Sequence, residues 1–166
     1  MSEVDREVDT EVEAEVEAAV CRAAEVLAGA DTIALACHVN PDGDALGSML
    51  GLFHVLRADG RDVVASFPRP FQVAPHYREL PGLDLLSDPA DFPAEPDVMV
   101  TFDCGSLGRL GELETSAKAA HELIDVTWLP VRDEGAWPPD VRTDIYLYPQ
   151  LQAIRTIVDS REAADD

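Results

Sequence analysis

The stretch Ile33-Ala-Leu-Ala-Cys-His-Val-Asn-Pro-Asp-Gly-Asp-Ala-Leu-Gly-Ser48 indicates a strand, a turn and the start of a helix. The apolar run from Ile33 to Cys37 is typical of a buried strand, and Asn40-Pro41-Asp42-Gly43 has the composition of a turn. Apolar residues then recur at helical spacing up to about Ala58, with Asp44 or a neighbour as the expected cap. These apolar positions are Leu46, Met49, Leu50, Phe53 and Leu56.

Three polar side chains, those of His38, Asp42 and Asp44, fall between the predicted strand and the predicted helix. In open α/β sheets, ligands bind in this place, outside the carboxyl end of a strand. Imidazole and carboxylate groups together suit Mn, Fe or Zn. The spacing therefore predicts a metal site. The alternative is a solvated Asp-Gly-Asp turn, which is a common surface feature.

A second strand end carries another carboxylate. Asp97-Val-Met-Val-Thr-Phe-Asp103 is an apolar run that ends in an acid and is followed by the small residues Cys104-Gly105-Ser106. In a parallel sheet, Asp103 and His38 would lie at the same edge. We therefore expect Asp103 to belong to the same site.

The order of strand and helix patterns predicts one α/β domain, a parallel sheet with helices on both faces. The pattern predicts four strands, the first at Thr32–Cys37, the second at Asp62–Phe67, the third at Asp97–Asp103 and a fourth that begins at Glu122. Residues 112–121 are predicted to be helical. The edge of this sheet needs a cover, and the alternatives are the C-terminal tail or the second subunit of a homodimer.

The first of these stretches resembles a known motif almost residue for residue. His38-Val-Asn-Pro-Asp42-Gly-Asp44-Ala-Leu-Gly47-Ser48 is similar to the first motif of the DHH phosphoesterases, a RecJ-like superfamily, and within it to the nanoRNase/pAp phosphatase branch. Asp103 followed by Ser106-Leu-Gly-Arg109-Leu110-Gly111 resembles the second motif. The resemblance covers residues 30–125 and implies the N-terminal domain of that family, in an incomplete form.

The resemblance also implies a function for each residue of the site. It implies that His38 and Asp42 bind one metal ion, that Asp44 binds another, and that Asp103 bridges the two. Asp42, Asp44 and Asp103 are the expected catalytic carboxylates, and Mn2+ is the expected metal. The implied activity is hydrolysis of pAp, short oligoribonucleotides or related small nucleotides. Arg109 is expected to pair with nearby acids rather than with substrate.

The third motif of that family, Asp-His-His, is missing from this sequence. Leu123-Ile124-Asp125 resembles the approach to it, but Val126-Thr127 follows. We therefore expect one well-held ion and a weak second one, with Asp125 and Asp133 as candidate extra ligands. Three hypotheses stay open. The first is a phosphoesterase with impaired catalysis. The two alternatives, both from a truncated gene, are an inactive nucleotide- or metal-binding module and an acidic interaction module.

The remaining chain falls into two segments outside the predicted domain. Residues 1–29 are predicted to form an acidic N-terminal helix or arm, and residues 126–166 a divergent tail with a predicted strand at 144–148 and a predicted helix at 151–158. We expect no C-terminal substrate-binding domain of the kind that the resemblance implies.

Composition limits the classes of partner. A net charge of −21 argues against binding of long duplex nucleic acid, which depends on neutralisation of phosphates by Lys and Arg. Cys21, Cys37 and Cys104 lack metal or redox spacing and indicate reduced thiols in a cytoplasmic protein. There is no apolar run long enough to predict a membrane span.

Overall fold

The structure, a computed structural model, describes residues 17–126 of the 166-residue chain. Its centre is a parallel sheet of four strands in the order β2-β1-β3-β4. The strands are β1 (Ile33–Cys37), β2 (Val63–Ser66), β3 (Val98–Phe102) and β4 (Glu122–Val126). The predicted fold class is confirmed, and each of the first three strands is slightly shorter than its apolar pattern predicted.

Within residues 17–126, three α-helices accompany the sheet. They are α1, of which residues 17–29 are described, α2 (Gly43–Ala58) and α3 (Glu114–Ala119). Short 3₁₀ helices fill the connections at Pro75–Tyr77, Leu83–Leu85, Pro89–Asp91 and Leu107–Leu113. The helix predicted over residues 112–121 is therefore shorter than expected. The last 3₁₀ segment, Leu107–Leu113, has a kink at Gly111, where φ is +51°, and α3 follows it directly.

The strands alternate their side chains between two apolar cores, one on each face of the sheet. Ile33 and Leu35 of β1 point to the face that α1 and α2 cover, where the apolar positions predicted for α2 are buried. Ala34 and Ala36 point to the opposite face, which the segment 107–119 covers. Burying a large apolar side chain stabilises the fold by about 1.5–3 kcal/mol, so the stripe on α2 holds this helix firmly against the sheet.

Polar contacts fix the amino-terminal edge of the sheet. The Asp97 carboxylate accepts hydrogen bonds from the backbone amide (2.9 Å) and the hydroxyl (3.0 Å) of Thr32. These two bonds hold the pKa of the Asp97 carboxyl below its usual value. Beside them, the Arg61 guanidinium donates to the carbonyl oxygens of Leu27 and Ala28 at the end of α1. Both contacts lie at the edge opposite the candidate site.

Several predictions fall on parts of the chain that the structure does not describe. These are most of the acidic arm, Asp133, the strand at 144–148 and the helix at 151–158. Within residues 17–126, no helix combines the length and the apolar character that crossing a membrane requires.

Candidate metal centre

The register of the sheet places two of the predicted site residues side by side. Cys37 of β1 pairs with Phe102 of β3, so the next residues, His38 and Asp103, leave adjacent parallel strands at the same edge. In the sheet, β2 lies on one side of β1 and β3 lies on the other. The order of the strands therefore reverses between β1 and β3, and these two strands border a topological switch point. Ligand sites of open α/β sheets form in the crevice at such a point.

The buried imidazole of His38 is oriented by the backbone of the next residue. Its Nδ1 lies 2.9 Å from the carbonyl oxygen of Val39, and only the ring tautomer with a proton on Nδ1 can donate to that acceptor. In the neutral ring this leaves a lone pair on Nε2, the arrangement typical of metal-binding histidines. His38 is 3% exposed, and within the described part of the chain Nε2 has no hydrogen-bond partner.

Asp42 contributes one carboxylate oxygen to the fold and one to the site. It is the N-cap of α2, with its Oδ1 accepting a hydrogen bond of 3.0 Å from the backbone amide of Ala45. Its Oδ2 lies 3.9 Å from Nε2 of His38. The cap therefore fixes the direction of the carboxylate, and the second oxygen is turned toward the imidazole.

Asp103 reaches the site from an uncommon backbone conformation. Its φ is +51°, a left-handed value that Asp adopts more readily than most residues, and Gly105 also has a positive φ. The amide of Asp103 donates to the carbonyl of Val126 at the end of β4, which ties the turn to the sheet. With the backbone turned in this way, Oδ2 of Asp103 lies 3.4 Å from Nε2 of His38.

These three side chains form a donor set that fits a divalent cation. One ligand atom from each of His38, Asp42 and Asp103 lies within 4.8 Å of the other two. Two carboxylates placed this close repel each other, and a buried polar atom without a partner is costly. A bound cation would relieve both. An imidazole with two carboxylates suits Mn, Fe or Zn.

The structure does not bring every predicted ligand into this group. Asp44 lies half-buried in the first turn of α2, and it is not among the three converging side chains found in the described residues. Asp125, in β4, is also outside the group, and its Oδ1 accepts a hydrogen bond of 2.6 Å from the hydroxyl of Thr101. The assignment of Asp44 to a second ion stays a prediction.

The two cysteines beside the site, Cys37 and Cys104, are buried, and neither is among the three converging side chains found in the described residues. Burial is the main cause that raises the pKa of the Cys37 thiol, and burial also raises the pKa of Cys104 to about 11. Both residues pack as small apolar groups. They belong to the two different cores of the sheet.

Arg109 makes contacts that the sequence did not indicate. Its guanidinium Nη1 donates to the carbonyl oxygens of Asp103 (3.0 Å) and Cys104 (3.4 Å). Its own carbonyl accepts from the amide of Val39 at 2.9 Å. The expectation was an ion pair with nearby acids, whereas these contacts are to the backbone. Composition carries no signal for them, because they depend on the direction of carbonyl groups in a left-handed turn.

Another contact that the sequence did not indicate involves Gly43 and Tyr77. A Cβ atom added at Gly43 would lie 2.8 Å from Cε1 of Tyr77, so the aromatic ring covers the first residue of α2. Gly43 stands between Asp42 and Asp44. Its lack of a side chain lets the segment around Pro75–Tyr77 approach the start of the helix closely.

Known proteins are similar to this chain in sequence and in fold. Over 90 residues, the chain is 38% identical to the bifunctional oligoribonuclease and PAP phosphatase NrnA of Thermus thermophilus, a match that covers 52% of this chain and 26% of that protein. The fold is similar to an exopolyphosphatase-related protein from Bacteroides fragilis, with a TM-score of 0.62 and 21% identity over 82% of this chain and 44% of that one. The chain therefore matches about a quarter of its curated relative.

The family assignment rests on a longer match. Residues 32–129 match the model of the DHH family, N-terminal domain, which is more than half of the chain. This range includes all four strands and the three converging side chains. The chain belongs to the DHH family, as the resemblance in its first two motifs predicted.

Proposed function

We propose that this chain is a metal-dependent phosphoesterase that binds one divalent ion, Mn2+ being the expected one, through His38, Asp42 and Asp103. The observation that carries the proposal is the unpartnered Nε2 of His38, which faces two carboxylates at 3.4 and 3.9 Å. Family membership supports the same chemistry, because DHH proteins are metal-dependent phosphoesterases.

The proposed role of each residue follows from its contacts. A bound divalent ion would lower the pKa of a water molecule and stabilise negative charge on the phosphoryl oxygens. His38 would offer Nε2, because Nδ1 is occupied by the carbonyl of Val39. Asp42 would offer Oδ2 while Oδ1 caps α2, and Asp103 would offer Oδ2 from its left-handed turn. Asp44 is proposed as a ligand of a second, weaker ion.

The proposed substrates are pAp and short oligoribonucleotides. The similar Thermus thermophilus protein is named as an oligoribonuclease and PAP phosphatase, and this supports small nucleotides as the substrate class. The charge of −21 supports the same class, since it opposes binding of long nucleic acids. The three free cysteines support a reducing compartment, so we place the reaction in the cytoplasm.

The test measures hydrolysis of pAp and of a 5′-phosphorylated diribonucleotide with Mn2+, alongside calorimetric titration of Mn2+. Asp103→Asn keeps the size of the side chain and removes its charge. We expect it to abolish turnover and to weaken Mn2+ binding. Asp88→Asn is the control for loss of a carboxylate charge, because Asp88 contacts Arg69 instead of the three converging residues. Turnover that is unchanged in Asp103→Asn would contradict the proposal.

A second candidate function is nucleotide and metal binding without turnover. The observation that favours it is that only three donors converge in the described residues. Asp125, a candidate extra ligand, instead accepts a hydrogen bond from Thr101. In this case the chain would bind about one Mn2+ and also pAp, and neither substrate would be hydrolysed. The same titration and assay separate the two functions.

A further inference from the structure

We infer that Arg109 is a positioning residue that holds the two ligand-bearing strand ends together, so that His38 and Asp103 are preorganised for a metal ion. This inference rests on the proposed function and extends it to a residue outside the donor set. Arg109 lies in the 3₁₀ helix Leu107–Leu113, which packs over the edge of the sheet where β1 and β3 end.

The side chain of Arg109 fixes the turn that carries Asp103. Its Nη1 donates to the carbonyl oxygen of Asp103 at 3.0 Å and to that of Cys104 at 3.4 Å. The positive φ of Asp103 turns this part of the backbone away from the strand conformation. A charged donor gives hydrogen bonds that are stronger than those of a neutral one, and it stabilises a conformation that is otherwise uncommon for a residue with a side chain.

The backbone of Arg109 fixes the loop that carries His38. Its carbonyl accepts a hydrogen bond of 2.9 Å from the amide of Val39, and the carbonyl of Val39 lies 2.9 Å from Nδ1 of His38. One residue therefore links the imidazole, through Val39, to the turn of Asp103. Groups that orient the ligands of a metal site in this way affect affinity even though they do not touch the ion.

Electrostatics and positioning predict opposite effects of removing Arg109. The guanidinium is a cation beside a cation site, so if only its charge mattered, its loss would strengthen Mn2+ binding. If it positions Asp103, its loss would weaken binding, by about 10- to 100-fold on the scale of residues that orient metal ligands. The sign of the change in affinity thus decides between the two roles.

The experiment compares Mn2+ dissociation constants for the full chain and four variants by calorimetric titration. Arg109→Met removes both the charge and the donors, and we expect a Kd about 10- to 100-fold higher. Arg109→Gln keeps a neutral donor and Arg109→Lys keeps a charged one, so both are expected to restore part of the affinity. Arg69→Met is the control, because it removes a cation that pairs with Asp88 and Glu112 instead.

Each outcome has a defined meaning. A higher Kd in Arg109→Met, partial recovery in Arg109→Lys and an unchanged Kd in Arg69→Met support the inference. An unchanged or lower Kd in Arg109→Met, or equal weakening by Arg69→Met, overturns it while leaving the proposed metal site intact. Absence of Mn2+ binding by the unsubstituted chain overturns both. Denaturant unfolding in EDTA shows whether each variant is folded. If Arg109→Met is not folded, the Mn2+ dissociation constants of Arg109→Gln and Arg109→Lys decide between the two roles.

Discussion

Replacement of Asp42 separates its two roles, because its two carboxylate oxygens have different partners. Oδ1 accepts from the amide of Ala45 and caps α2, while Oδ2 faces the imidazole of His38. Asn caps a helix about as well as Asp does, whereas Ala does not cap at all. Asp42→Asn therefore removes only the anionic ligand, and Asp42→Ala removes both the ligand and the cap.

The expected magnitudes differ with and without metal. In EDTA, Asp42→Ala lowers the free energy of unfolding by about 1 kcal/mol through loss of the cap. Asp42→Asn leaves this free energy unchanged or slightly higher, because it relieves repulsion between Asp42 and Asp103. At a Mn2+ concentration of about 100 times its Kd, binding stabilises the unsubstituted chain by about 2.7 kcal/mol. If loss of the ligand raises Kd by about 100-fold, this gain falls to about 0.4 kcal/mol in both variants.

The assay is denaturant unfolding of the three chains, each in EDTA and in Mn2+. Asp88→Ala is the control for loss of a capping carboxylate, because Asp88 caps the 3₁₀ helix Pro89–Asp91 and is not one of the three converging residues. It should lower stability equally in both conditions. The reasoning is refuted if Asp42→Asn keeps the full stabilisation by Mn2+, or if Asp42→Ala and Asp42→Asn are equally stable in EDTA.

Two further predictions concern the contacts around the site and the opposite edge of the sheet. Gly43→Ala should destabilise the chain despite the better helix propensity of Ala, because the added Cβ would lie 2.8 Å from the ring of Tyr77. In a Tyr77→Ala background the same change should be neutral or stabilising. Unfolding of the four chains of this double-mutant cycle measures the coupling between the two positions. Asp97→Asn should cost stability at neutral pH. Folding lowers the pKa of the Asp97 carboxyl, so its contribution to the free energy of unfolding is present above the usual pKa near 3.8 and is lost as the pH falls through the folded pKa. Unfolding measured from pH 6 to pH 3 should therefore show that the difference in stability between Asp97→Asn and the unsubstituted chain becomes smaller. A gap that stays constant over this range would contradict that account.

Sequence patterns located the strands and the edge of the site because both depend on local chemistry. An apolar run such as Val98–Phe102 can be buried on both faces only inside a sheet, and a carboxylate directly after it must lie at the sheet edge. The placement of His38 and Asp103 at the same edge of the sheet followed from parallel pairing alone. The strand order, which places β1 and β3 together, could not be predicted in this way, because it depends on how distant segments pack.

The finer geometry of the site depends on backbone directions that residue patterns do not encode. The left-handed conformation of Asp103 and its contact with Arg109 have no periodic pattern, and the ring of Tyr77 reaches Gly43 from a segment more than thirty residues away. The kink at Gly111, just before the helix that the pattern predicted, likewise has no signal in the apolar pattern. Such features are set by tertiary contacts, which override local preference.

Under the proposed function, the charge of the chain would make substrate binding depend on the metal. A protein with a net charge of −21 repels a nucleotide phosphate over much of its surface, and the candidate site itself adds two carboxylates. Arg109 does not reverse this field, since its single positive charge does not offset the two carboxylates of the site together with the acidic surface. A divalent ion held by His38, Asp42 and Asp103 would invert the sign of the potential at this one place. Selectivity for small phosphate esters would then follow from the contrast between a single cationic point and an acidic surface that rejects longer polyanions.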